Sequence, residues 1–214
     1  MTEPAPAPLL FDGPADARDV VVLAHGAGGP MDSPFLNDFA GGLAAHGIRV
    51  ARFEFPYMRA RRTGGKGGAP DREPVLRQAW REVIDGLGGG SRVVIGGKSL
   101  GGRMASLVAD ESGARGLLCL GYPFHPPGQP DRLRTAHLEA LRTPALILQG
   151  TRDPFGTPED VAGYALAPSI RVHWIEDGDH SWKPRVKSGR TPAQNLEEGI
   201  AASAEFVKGL SLAP

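Results

Sequence analysis

One cysteine, Cys119, is all that the 214 residues contain. No disulfide can close within the chain, and no cage of thiolates can hold a metal. Cys119 stands in the apolar run Leu117-Leu118-Cys119-Leu120, where a buried structural thiol is expected rather than a reactive one. Excess charge is missing too. The 24 Lys and Arg balance 24 Asp and Glu, so nothing general draws the chain to nucleic acid or to an anionic membrane, and a small-molecule substrate is the expected partner. No apolar run approaches bilayer-spanning length. Met1 to Pro8 is rich in Pro and Ala, includes Glu3 and lacks a basic segment leading into an apolar one; no secretion signal is expected there, and the cytoplasm is the expected compartment. The six histidines show neither His-x-x-x-His nor His-Glu-x-x-His spacing, so neither a metal nor another cofactor is expected.

Glycine is abundant, and one placement of it organises the chain. In Arg92-Val93-Val94-Ile95-Gly96-Gly97-Lys98-Ser99-Leu100-Gly101-Gly102 a β-branched run enters Gly-x-Ser-x-Gly, and Met104 to Ala109 continues with helical spacing. That context predicts a strand, a sharp turn exposing Ser99, and a helix. The context matters because 30 Gly and 10 Ser alone give about 0.2 such pentapeptides by chance. Gly97-Lys98-Ser99 also ends a possible Gly-x-x-x-x-Gly-Lys-Ser phosphate loop, but Arg92 occupies its first glycine and a strand occupies its loop.

Along the rest of the chain, residues 1–18 read as a loose arm with a short edge strand at Leu9 to Phe11, followed by one domain over 19–214. Strands are expected at 19–24, 48–55, 92–97, 116–121, 145–149 and 170–175. Helices are expected at about 33–46, 73–87, 130–141, 158–166 and 191–210. This alternation argues for an α/β fold with a mostly parallel sheet of six to seven strands wrapped on both faces. Residues 59–72 combine Arg59, Arg61, Arg62, Lys66 and Arg72 with Gly and Pro, reading as a solvated basic loop or, alternatively, a place for an anionic ligand or protein partner.

Sites in open parallel sheets lie at the carboxyl ends of the strands. Polar residues there are His25, Glu54, Ser99, Tyr122, His125, Asp153, Asp177, Asp179 and His180. Ser99, Asp153 and His180 follow the order nucleophile, acid, histidine that a Gly-x-Ser-x-Gly elbow uses. Imidazole titrates near neutral pH and can take a serine proton, while a carboxylate fixes its tautomer. Asp177 and Asp179 are rivals for the acid, Asp179 the weaker because neighbours in a turn diverge. The N–H of Leu100, with that of Ala27 or Gly28 in His25-Gly26-Ala27-Gly28-Gly29, would form the oxyanion hole. His25, Lys98, Tyr122 and His125 are pocket candidates, His25 more as a brace for its loop than as a chemical group.

These segments, together with Phe53-Glu54-Phe55-Pro56-Tyr57, Gly121-Tyr122-Pro123-Phe124-His125-Pro126-Pro127, Gln149-Gly150-Thr151-Arg152-Asp153 and Asp177-Gly178-Asp179-His180-Ser181, carry a resemblance to the α/β-hydrolase fold. Within it the chain is similar to the small lidless, dienelactone-hydrolase-like group containing the testis-expressed and NSL-complex-subunit-like predicted hydrolases. The resemblance implies Ser99, Asp153 and His180 as nucleophile, acid and histidine. Dienelactone hydrolases carry cysteine at the elbow, and this chain departs from them there. The short stretch between residues 121 and 145 leaves no room for a cap domain, so an open site is expected. The expected function is a serine hydrolase acting on small soluble esters or thioesters through an acyl-enzyme. The alternatives are a non-catalytic binding or scaffold module, since the group includes chromatin-complex subunits, and, more weakly, an acyltransferase.

Overall fold

A computed structural model describes residues 7–64 and 68–210. Residues 1–6 of the expected arm, 65–67 of the expected basic loop and 211–214 lie outside the described residues. The elements run β1 (Leu10–Asp12), β2 (Val20–Ala24), α1 (Pro34–Ala45), β3 (Arg49–Phe53), α2 (Pro56–Arg62), α3 (Glu73–Gly86), β4 (Val94–Lys98), α4 (Leu100–Val108), β5 (Gly116–Leu120), β6 (Ala145–Gly150), α5 (Pro158–Val161), β7 (Ile170–Ile175) and α6 (Pro192–Gly209). They form one seven-stranded sheet in the order β1-β3-β2-β4-β5-β6-β7. β1 is antiparallel to β3, and the other pairs are parallel. The strand order turns outward in both directions from β2 and β4, so the crevice between their carboxyl ends is the place where such sheets bind ligands.

The central strands are apolar on both faces because helices cover both. Val22, Ala24, Ile95, Leu117, Cys119, Ala145 and Ile147 face one core, which α3 closes with Leu76, Ala79, Trp80, Val83 and Ile84. Val21, Leu23, Val94, Leu118, Leu120, Leu146 and Leu148 face the other, under α1 and α6. Alternation along a strand thus selects which core a residue joins. Five of the six helices begin with proline at the first or second position, where its fixed φ and missing N–H cost nothing. α5 and α6 add reciprocal capping boxes, Thr157 with Asp160 and Thr191 with Gln194.

Three sequence expectations are corrected. The expected helix over 130–141 is one 3-10 turn, Ala136–Leu138, because tertiary bonds hold this stretch instead: Arg134 N–H donates to the Phe124 carbonyl at 2.8 Å and Ala167 N–H to the Leu138 carbonyl at 2.9 Å. The helix over 158–166 stops at Val161, where tight turns through Gly163 take over. The start of the 59–72 loop is helical, as the last turn of α2. Pro56 starts that helix, Arg61 stacks over Tyr57 at 5.2 Å, and Arg62 pairs with Asp32 and, at 2.8 Å, with Glu54.

No cap intervenes between β5 and β6. The elbow itself rests on backbone contact: a Cβ at Gly101 would lie 2.4 Å from the Ala24 carbonyl oxygen. Gly101→Ala should therefore lower the unfolding free energy by about 1–3 kcal/mol, whereas Gly41→Ala, at a helical site with nothing within 4 Å of the added carbon, should raise it by about 0.5–1 kcal/mol. Urea denaturation of both variants checks the opposite signs.

Candidate active site

β4 ends at Lys98 and α4 begins at Leu100, leaving Ser99 alone to make the turn. Its backbone takes φ 49° and ψ −110°, a region costly for a residue with a side chain. The cost is borne because Ser99 N–H donates to the Leu120 carbonyl at 3.0 Å, and because the chain packs too closely around the turn to relax. A Cβ at Gly97 would come within 2.2 Å of the Ala24 oxygen.

Ser99 Oγ lies 2.9 Å from His180 Nε2, and His180 Nδ1 lies 2.7 Å from Asp153 Oδ2. Asp153 is fully buried and its other oxygen accepts Phe155 N–H at 2.9 Å. An acceptor-only carboxylate requires Nδ1–H to donate, and in the neutral imidazole this tautomer turns the Nε2 lone pair to the serine hydroxyl. The rivals do other work. Asp179 Oδ1 accepts the N–H groups of Ser181 and Lys183 at 2.7 and 3.0 Å. Asp177 pairs with Arg185, which holds its carboxyl down to about 2.

Local strain concentrates here. Among the described residues, non-glycine positive φ occurs at Ser99, Asp177 and Trp182, the last two flanking His180. Their turn is held from behind. Trp182 is buried against Phe35 and Phe39 of α1, and Asn195 Nδ2 of α6 donates to the carbonyls of Trp182 at 2.8 Å and Glu176 at 3.1 Å. Phe155 covers the His180 ring at 4.3 Å.

The loop after β2 has two of its carbonyls, those of Gly26 and Ala27, held by side chains. His25, fully buried, faces the Gly26 oxygen through Nδ1 at 2.7 Å and accepts Phe55 N–H at Nε2, 3.1 Å. Burial lowers its pKa, keeping the ring neutral as this pattern demands. Tyr57 Oη donates to the Gly26 and Ala27 carbonyls at 3.4 and 3.2 Å, and burial pushes its hydroxyl up to about 12, so the proton stays. In a trans peptide N–H opposes C=O. Anchoring these two carbonyls therefore turns the N–H groups of Ala27 and Gly28 the other way. Gly26 borders Ser99, a Cβ there lying 3.8 Å from the serine Cβ. Leu100 opens α4, so its N–H has no partner in that helix.

The cleft over Ser99 has a volume of about 360 Å³ and is lined by Gly26 to Gly29, Ser33, Phe35, Leu36, Lys98, Ser99, Phe155, His180 and Ser181. Of the four pocket candidates only Lys98 lines it. His25 is a brace. Tyr122 is buried and donates to the Arg134 carbonyl at 3.1 Å, while His125 is buried 3.6 Å from Asp160; aromatic residues after a strand were absorbed by the core. Sequence reasoning missed Phe35, Phe155 and Tyr57. Phe155, directly after Asp153-Pro154, carried the one readable signal. A larger recess of about 660 Å³, lined in part by Phe11, Arg18, Arg49 and Arg92, opens at the amino ends of β2 and β4, away from this chemistry.

The profile of the family described as "Alpha/beta hydrolase domain" matches residues 17–208. The chain belongs to the alpha/beta hydrolase family. Solved structures share the fold of this alpha/beta hydrolase at low identity. A putative hydrolase of the alpha/beta superfamily from Xanthomonas campestris pv. campestris is 24% identical, with 91% of this chain and 99% of that one covered and a TM-score of 0.63. A Xanthomonas campestris protein described as an a/b serine hydrolase without lid is 20% identical over 96% and 90%, TM-score 0.65. The Paleococcus ferrophilus monoacylglycerol lipase is 17% identical over 94% and 98%, TM-score 0.70.

This hydrolase holds a second serine–histidine contact, Ser106 Oγ to His137 Nε2 at 2.8 Å. Ser106 is buried in α4, bonded also to the Arg103 carbonyl at 2.7 Å, and no carboxylate bonds His137 among the described residues. It is a structural bridge between α4 and the 136–138 turn. Burial, then Arg103, pushes the His137 pKa down to about 4. The unfolded chain takes that proton near the ordinary 6.5. Stability from a neutral His137 is therefore complete above about pH 6.5 and drains away as pH falls toward 4. The urea midpoint of the native chain should fall from pH 7 to pH 4.5, and that of His137→Gln should fall less over the same interval.

Proposed function

We propose that this alpha/beta hydrolase is a serine hydrolase of small soluble esters or thioesters that works through an acyl-enzyme. The observation that carries the reading is the unbroken line Ser99, His180, Asp153 beneath an open cleft. His180 Nε2 takes the Ser99 proton as Oγ attacks the substrate carbonyl, and Asp153 stabilises the imidazolium that results. The oxyanion is received by Leu100 N–H and by that of Ala27 or Gly28. His180 then returns the proton to the departing alcohol or thiol; water attacks the acyl-serine with His180 again as base, and the acyl–Oγ bond breaks as His180 gives that proton to Ser99 Oγ and the carboxylic acid leaves. The lidless description of one structural neighbour and the lipase name of another support ester chemistry at an open site. The finer placement among dienelactone-hydrolase-like and testis-expressed relatives rests on the segments quoted from the sequence, and serine at the elbow sets the chain apart from the cysteine enzymes.

A fluorophosphonate should add once to the native protein and not to Ser99→Ala or His180→Ala, read as intact mass. Ser99→Ala should also lose about 10⁴- to 10⁶-fold in turnover of a short ester. Absence of an adduct on folded native protein would favour the binding-module reading. Tyr57→Phe, which frees the Ala27 carbonyl, should lower kcat about fivefold, the worth of roughly one hydrogen bond, with labelling retained.

A further inference from the structure

Lys98 closes β4 and precedes Ser99. Its Nζ donates to the His180 carbonyl at 2.5 Å and lies 5.8 Å from the centre of the Phe35 ring. Room for it is reserved: a Cβ at Gly121 would lie 2.9 Å from Nζ. An ammonium carries three N–H donors, and among the described residues only the one to His180 is engaged by protein. Nor does any carboxylate form an ion pair with it there. Asp153 is committed to His180 and Phe155, and Asp179 to its own turn. The cleft lining contains no Asp or Glu. Lys98 is half-buried and forms no ion pair among the described residues, and desolvation outweighs the pull of the Asp153 and Asp179 charges, so its pKa is pushed down to about 8. A bound anion would restore the missing partner.

Position says where that anion belongs. Lys98 Nζ touches the main chain of His180 while Ser99 Oγ touches the ring of the same residue, so a group at Nζ and a carbonyl at Oγ fit within one small molecule. We infer that Lys98 is a specificity-determining residue that receives a carboxylate carried a few bonds from the scissile carbonyl, making anionic esters or thioesters the substrate class. This rests on the serine-hydrolase reading.

The test compares matched pairs: an aryl hemisuccinate against the aryl butyrate, placing the carboxylate on the acyl side, and acetoxybenzoate against phenyl acetate, placing it on the alcohol side. Native protein should favour the charged member of at least one pair by about tenfold or more in kcat/KM, the scale of a charged hydrogen bond. Lys98→Met and Lys98→Gln should reduce that ratio about tenfold, chiefly through KM; Gln can still donate to the His180 carbonyl, so it separates charge from clamping. A ratio unchanged in Lys98→Gln, or a native ratio at or below one for both pairs, overturns the inference, and the native ratio decides alone if neither variant folds. Fluorophosphonate labelling is read first. Unlabelled native protein overturns the serine-hydrolase reading itself, whereas labelled protein without charge preference overturns only the role of Lys98.

Discussion

Close backbone approach at the elbow is the constraint on which the site depends. A Cβ at Gly96 would stand 1.9 Å from the Leu118 oxygen, and those at Gly97 and Gly101 would meet the Ala24 oxygen at 2.2 and 2.4 Å. Only hydrogens at these positions let β4 sit between β2 and β5 while α4 folds back across them. The strained Ser99 is therefore enforced by neighbours on three sides, and its energy is offset by the two apolar cores that hold the sheet flat against its helices.

Polar residues behind the site divide by task. Some shape the backbone: His25 and Tyr57 orient the loop after β2, Asn195 and the carboxylates of Asp177 and Asp179 fix the turn bearing His180, and Gln149 binds Tyr122 N–H at 2.7 Å and the Gly156 carbonyl at 3.2 Å. Charged pairs such as Arg52 with Asp12 and Arg62 with Glu54 lie farther out, tying β1, α2 and the 26–32 loop to the sheet. At the loop after β2 the positioning groups are neutral, and they fix N–H directions without adding a net charge of their own.

Much of this was legible in the chain. The β-branched runs located the central strands, since burial on both faces leaves a continuous apolar signature, and the motif after β4 located the turn at Ser99. The proximity of Ser99, Asp153 and His180 followed from their order and from each lying just beyond a strand. What failed depended on contacts between distant segments. Residues 130–141 have helical spacing, yet their carbonyls and amides find partners on other loops. Tyr122 and His125 are polar after a strand, as site residues are, but that loop folds inward. The helix through Arg59 to Arg62 is obscured by composition, because in a run that looks solvated Arg62 has acidic partners at Asp32 and Glu54, supplied by other parts of the chain, and Arg61 stacks on Tyr57. Phe35 joins the cleft only because α1 crosses the end of β2.

Ser99 and His180 are separated by 81 residues, with three strands between them. During vectorial synthesis the elbow emerges long before the turn after β7, and the Trp182 anchor needs α6, later still. An incomplete chain thus carries Ser99 without its histidine partner. The line from Ser99 through His180 to Asp153 therefore depends on the last part of the chain to be made, so its geometry doubles as a readout of finished folding.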